Sequence, residues 1–132
     1  MERRAINPWA WQEQFGFAQA IDISDAKRTL LCSGQTSVDD EGNPVYPGDM
    51  AAQINKALDN LETVLREAGL GLSDVVRLNY YVTDVNAFKE AFVSDTVSRL
   101  NQAGCRPATT LLGVTQLVFP ELLLEIEATA TQ

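Results

Sequence analysis

The sequence predicts an α+β fold with elements in the order β-β-α-β-α-β-β. Three observations carry that prediction. Ile54, Leu58, Leu61, Leu65 and Ala68 recur at spacings of three and four, one apolar stripe on a long helix. The last quarter holds two apolar, strand-like runs, 106–114 and 121–130. In the second run Leu122, Leu124, Ile126 and Ala128 alternate with Leu123, Glu125, Glu127 and Thr129, which sets two carboxylates on one strand face. Strands before, between and after two helices place both helices on one face of a sheet.

The elements follow in order. Residues 1–16 read as irregular, with a turn at Asn7-Pro8; Trp9, Trp11 and Phe15 are read as covering a core edge, with a pocket wall or a subunit contact as the alternative. Phe17 to Ile23 splits by strand parity. Ser24-Asp25-Ala26-Lys27 is turn material, and Arg28 to Ser33 is a second strand, so the two are expected to form a hairpin. Asp39-Asp40-Glu41 lacks the ligand spacing of a calcium loop and reads as a solvated turn. Asp49 is placed as N-cap and Gly69 as stop of the Met50–Ala68 helix. Val75 to Val82 is rich in β-formers. Thr83-Asp84 or Asn86 caps a second helix carrying Phe88, Phe92, Thr96 or Val97, and Leu100, closed by Gly104. The sheet's bare face is expected to be apolar too, through Leu30, Cys32, Val76, Leu78, Leu111 and Gly113, and therefore to drive oligomerisation.

Composition narrows the function. The chain has 132 residues, 45% hydrophobic and 21% charged, the balance of a single globular domain spanning 1–132. No apolar run reaches the length of a membrane span and no signal-peptide core follows Met1-Glu2-Arg3-Arg4, so no membrane partner and a cytoplasmic location are expected. The net charge of −8 and scattered basic residues argue against a nucleic-acid partner. The absence of histidine removes the commonest general base and metal ligand, and excludes Ser-His-Asp or Cys-His catalysis within this chain. Cys32 and Cys105 make no disulfide framework; both are read as buried, Cys105 as the more accessible.

The pattern as a whole is recognisable. Ser33-Gly34-Gln35 follows a strand, and Gln53 with Leu58-Asp59-Asn60-Leu61 sits on the first helix. Asp74-Val75-Val76, Val82-Thr83-Asp84, Asn86-Ala87-Phe88, Arg106-Pro107-Ala108 and Glu125-Ile126-Glu127-Ala128 complete it. Together these resemble the RidA/YjgF family, the Rid enamine/imine deaminases formerly labelled endoribonuclease L-PSP. The resemblance runs from about Phe15 to Ala130. It implies a chorismate-mutase-like two-layer sandwich, a homotrimer with a central barrel, and ligand clefts between subunits. It also implies hydrolysis of reactive enamines and imines to a keto acid and ammonia, with no metal or organic cofactor.

The same comparison assigns site residues. Glu125 matches the carboxylate that orients or activates water, and Ser33 the second-strand serine. Phe17, Phe92, Thr109 and Leu111 stand at substrate-binding positions where the active deaminases carry tyrosine, asparagine, arginine and cysteine. The chain is thus a divergent member without the arginine that grips the substrate carboxylate. Arg106 lies three positions before Thr109, on the opposite face of a regular strand; Arg28 and Arg77 are other stand-ins.

Two readings remain open. In one, the protein is a RidA-like hydrolase with altered substrate choice, taking less anionic, bulkier or more apolar imines. In the other, it is a non-catalytic trimeric protein that binds a small molecule. A ribonuclease reading rests on the old family label alone, against the acidic charge and the missing histidine.

Overall fold

A computed structural model describes residues 1–132. Six strands and three helices follow the expected α+β order, with one strand added at the front. They are β1 (Glu2–Ile6), β2 (Ala20–Ser24), β3 (Thr29–Leu31), α1 (Met50–Glu67), β4 (Val75–Val82), α2 (Val85–Ala91), α3 (Val97–Gln102), β5 (Ala108–Gly113) and β6 (Leu124–Thr131). β5 and β6 are shorter at their starts than expected. Pro107 has no N–H for a ladder, and the Leu122 N–H closes a turn onto the Phe119 carbonyl at 3.1 Å.

α1 forms where the apolar stripe lies. Asp49 caps it by accepting from the Ala52 N–H at 3.0 Å. Gly69, at φ +76°, takes the left-handed conformation that stops it. Ile54, Leu58, Leu61 and Leu65 are fully buried against the sheet, where they meet Leu78, Tyr80, Val82, Leu124, Ile126 and Ala128. Each such side chain is worth about 1.5–3 kcal/mol of burial.

The main sheet has the order β3-β6-β4-β5; β4 and β5 run parallel and the other pairs antiparallel. The expected hairpin between the first two strands does not form. β2 pairs with β1, and β3 pairs with β6. The Lys27 and Arg28 N–H groups both donate to the Gln132 carbonyl at 2.9 Å, so the end of β6 captures the chain where it would have turned back. β1 was expected to be irregular because all five of its residues are exposed, and a ribbon with no buried side shows no period. The β1–β2 ribbon joins the main sheet at one parallel bridge, Ala18 to Ala108, through the Ala18 N–H on the Pro107 carbonyl at 3.0 Å.

The second helical stretch is interrupted. A π-helical turn, Phe92–Thr96, separates α2 from α3. The extra residue shifts the helical phase, which is why Thr96 and Val97 both fit the sequence period; Thr96 is the one buried. Arg99 ties α3 to α1, donating to Asn55 at 3.1 Å and pairing with Asp59 at 2.6 Å.

The bare face of the sheet is largely polar, with Leu31, Leu112 and Val76 as its apolar members, which corrects the expectation that Leu30, Cys32, Leu78, Leu111 and Gly113 make it apolar. A bulge between Val75 and Arg77 resets the alternation of β4, so Val75 and Leu78 both enter the core. Leu30, Cys32 and Leu78 lie on the helix side, and Leu111 pairs in register with Tyr80, on that side too. Arg77, Asn79, Tyr81, Glu125, Glu127 and Thr129 take the other face. Cys105 is fully buried and Cys32 is 8% exposed, the reverse of the expected order. The Cys105 N–H donates to the Leu100 carbonyl at 2.9 Å, which folds the residue beneath the end of α3. Burial pushes its thiol up to about 12.

Candidate functional site

Two places in the molecule combine open space with unused chemistry. The first is a half-open cavity of about 230 Å³ on the helix side of the sheet. β5 supplies Thr109 and Leu111; β4 supplies Tyr80; α2 and the π turn supply Phe88, Lys89, Phe92 and Val93. Phe15 and Phe17 close it from the segment before β2. The register places Thr109 beside Leu78 and Leu111 beside Tyr80, so both face the helices. Phe88 and Phe92, one turn apart, pack on the Tyr80 ring with centroids 5.1 and 5.5 Å away. Trp11 meets the edge of Phe17 at 5.8 Å.

Four of the six expected site residues, Phe17, Phe92, Thr109 and Leu111, therefore meet in one cavity. Sequence reasoning missed Tyr80, Phe88, Lys89 and Val93, and offered a pocket wall for Phe15 only as the alternative. Two of them left a signal: Tyr80 shares strand parity with Val82, and Phe88 keeps the helical period with Phe92. Of the leading aromatic residues, Phe15 lines the cavity, whereas Trp9 and Trp11 stay open to solvent, against the reading that all three cover a core edge. The Tyr80 hydroxyl is buried with no hydrogen-bond partner, and desolvation raises its pKa.

The second place is on the bare face, where Ser33 and Glu125 stand together. Gln35 and Ile126 exchange backbone hydrogen bonds at 2.7 and 2.9 Å. That bridge lays Gly34 against the Glu125 side chain, so closely that a Cβ on Gly34 would run into the carboxylate. Glicine at this position thus serves close approach rather than an unusual dihedral angle. Ser33 is exposed beside it, and Glu125 is half-buried, with no ion pair in the structure. Its neighbour Glu127 is engaged: Asn79 Nδ2 donates to its Oε1 at 3.1 Å and the Tyr81 hydroxyl at 3.0 Å. Those two bonds hold the Glu127 carboxyl below its ordinary range, and the bond to Glu127 raises Tyr81.

None of the three arginines considered lines the cavity. Arg28 donates to the Ala68 carbonyl at 2.7 Å and to Gln132 at 3.0 Å. Arg77 lies on the opposite sheet face in register with Thr129, and Arg106 is exposed ahead of Pro107. The only charged side chain on the cavity wall is Lys89.

Fold and site define a class: an α+β protein with an apolar cavity on one sheet face and an unpaired carboxylate on the other. The family model described as endoribonuclease L-PSP matches residues 11–132. The chain is 28% identical over 116 residues to the Escherichia coli 2-iminobutanoate/2-iminopropanoate deaminase, covering 88% of this chain and 87% of that one. It is 30% identical over 114 residues to a RutC family protein of Pyrococcus abyssi, covering 86% and 84%. A crystal structure of the Rid family protein YyfB from Yersinia pestis superposes with a TM-score of 0.88 at 37% identity, covering 100% of both chains. The chain belongs to the RidA/YjgF family.

Proposed function

We propose that the protein is a RidA-like hydrolase of reactive enamine or imine metabolites, with a substrate choice moved toward apolar side chains. The observation that carries the reading is the Glu125 carboxylate, held against Gly34 and left without a partner. A relative named as an imine deaminase supports it. Glu125 takes a proton from a water molecule as that water attacks the imine carbon. That proton passes to nitrogen and leaves a carbinolamine; the carbinolamine hydroxyl then yields its proton to the same nitrogen as the carbon–nitrogen bond breaks, so ammonia leaves and a keto acid remains. Ser33 and backbone donors near Leu111 hold the substrate. No metal or organic cofactor enters these steps.

The reading includes a homotrimer with its ligand sites between subunits. Thr109 and Leu111 face the helices, whereas Glu125 faces away from them, so one chain does not bring both onto one ligand. A neighbouring copy supplies the missing wall. Mixing a Glu125→Gln protein with a Thr109→Trp protein restores activity in mixed oligomers if the site is shared, and restores none if each chain works alone.

The direct test is ammonia release from a panel of imines generated from amino acids. Acceleration over the buffer rate supports the hydrolase. No acceleration of any imine ends that reading and leaves the alternative, a non-catalytic trimeric binding protein, which the replacement of the gripping arginine by Thr109 favours.

A further inference from the structure

We infer that the cavity takes the side chain of an aromatic α-imino acid, and that Lys89 at its mouth holds the carboxylate. The inference rests on the proposed hydrolase and names its substrate class. Phe15, Phe17, Phe88, Phe92 and the Tyr80 ring make walls suited to a flat apolar group. The volume, about 230 Å³, lies below the roughly 300–1,000 Å³ of sites for drug-sized ligands, so the guest is a small metabolite. An ionised carboxylate pushed among those rings would lose its hydration with no fixed cation to replace it. The charged end therefore stays outside.

Lys89 supplies the charge there. It stands on α2 between Phe88 and Val93, is exposed, and makes no ion pair of its own. A lysine in this place can lay its aliphatic stem along an apolar wall and keep its ammonium in water. The ligand thus lies with its ring inward and its acid outward, and the carbon next to the acid sits at the mouth. That is where a neighbouring Glu125 has to reach it. An arginine at position 109 would hold the acid inside; Thr109 leaves that space to the ring.

Binding can be read without turnover, because Trp11 touches Phe17 on the cavity wall and reports by fluorescence. The probes are hydrocinnamate, propionate and hydrocinnamyl alcohol, titrated into the full chain. Hydrocinnamate is expected to bind about 10–150-fold tighter than propionate, the worth of burying one large apolar side chain. Lys89→Gln, at an exposed position, weakens hydrocinnamate about 2–5-fold and leaves the alcohol unchanged, and added salt narrows the gap. Equal binding of propionate, or hydrocinnamate binding untouched by Lys89→Gln, overturns the inference. The two readings fail separately. Tight hydrocinnamate binding with no imine hydrolysis sinks the hydrolase and keeps the cavity assignment. Hydrolysis of small imines without hydrocinnamate binding sinks the cavity assignment alone.

Discussion

Gly34 and Glu125 touch across the edge of the sheet, and nothing larger than hydrogen fits between the Gly34 Cα and the carboxylate. The contact is with a side chain, not with backbone, so Gly34→Ala is expected to swing Glu125 aside rather than unfold the chain. Glu125→Gln keeps the shape and removes the base. For a hydrolase, its kcat should fall by roughly a hundredfold to ten-thousandfold, the usual worth of a general base. Stability should stay within about 0.5 kcal/mol, because the carboxylate has no ion pair to lose. Gly34→Ala should lower kcat in the same direction with little change in KM. Steady-state kinetics on both variants, with urea melts alongside, checks this; full activity in Glu125→Gln would remove Glu125 from the mechanism.

Glu127 and Tyr81 should titrate as a linked pair. Hydrogen bonds from Asn79 and Tyr81 hold the Glu127 carboxyl below its ordinary value, so its contribution to stability is present above that value and fades as pH falls through the folded one. Tyr81 is raised, so its contribution is complete below the ordinary tyrosine pKa and fades as pH rises through the folded value. Tyr81→Phe removes one of the two donors to Glu127. Carboxylate titration by NMR should then show Glu127 moving up toward its ordinary value; an unmoved midpoint would mean the Tyr81 bond is absent in solution.

Legibility in the sequence followed burial. α1 and β6 were readable because each has one fully buried side, and burial writes a period of 3.6 or 2 into the residues. β1 buries nothing and left no pattern. The bulge in β4 and the π turn after α2 each add one residue, and a single addition inverts parity or shifts phase without any local mark in composition. The bulge is how Leu78 came to be read on one face with Val76. At the site, Phe17, Phe92, Thr109 and Leu111 came from resemblance, and the fold brings them together. Lys89 was out of reach because its meaning depends on which helix face looks onto β5, a tertiary fact.

Tyr80→Phe should stabilise the protein or leave it neutral. Its hydroxyl is buried, with no partner, and an unsatisfied buried donor costs about 1–3 kcal/mol. The small void left by the oxygen offsets part of that, so a gain of up to about 1 kcal/mol is expected in urea unfolding. A loss greater than about 1 kcal/mol would show that the hydroxyl is hydrogen-bonded in solution, for which an ordered water is the available partner.

Gln53 should be the most costly polar side chain to remove. It is fully buried on α1 and uses its whole amide. Nε2 donates to the Tyr46 carbonyl at 3.1 Å and to the Glu121 carbonyl at 2.9 Å, and Oε1 accepts from the Leu123 N–H at 2.9 Å. The bonds to Glu121 and Leu123 pin the link before β6 onto the helix, two residues ahead of Glu125, and the bond to Tyr46 ties down the loop before α1. Gln53→Leu keeps the bulk and strands the Glu121 carbonyl and the Leu123 N–H, while the Tyr46 carbonyl keeps the Asp49 N–H at 3.3 Å; this should cost about 2 kcal/mol or more. Gln53→Glu keeps the acceptor and loses the donors, so it should fall between wild type and Gln53→Leu if the donated bonds matter as the geometry says. Unfolding in urea ranks the three proteins. Kinetics at a denaturant-free temperature well below each midpoint should then show kcat reduced in the still-folded Gln53 variants, because the strand that carries Glu125 has lost its anchor. Unchanged kcat in a folded Gln53→Leu protein would mean that β6 holds its place through the ladder to β4 alone.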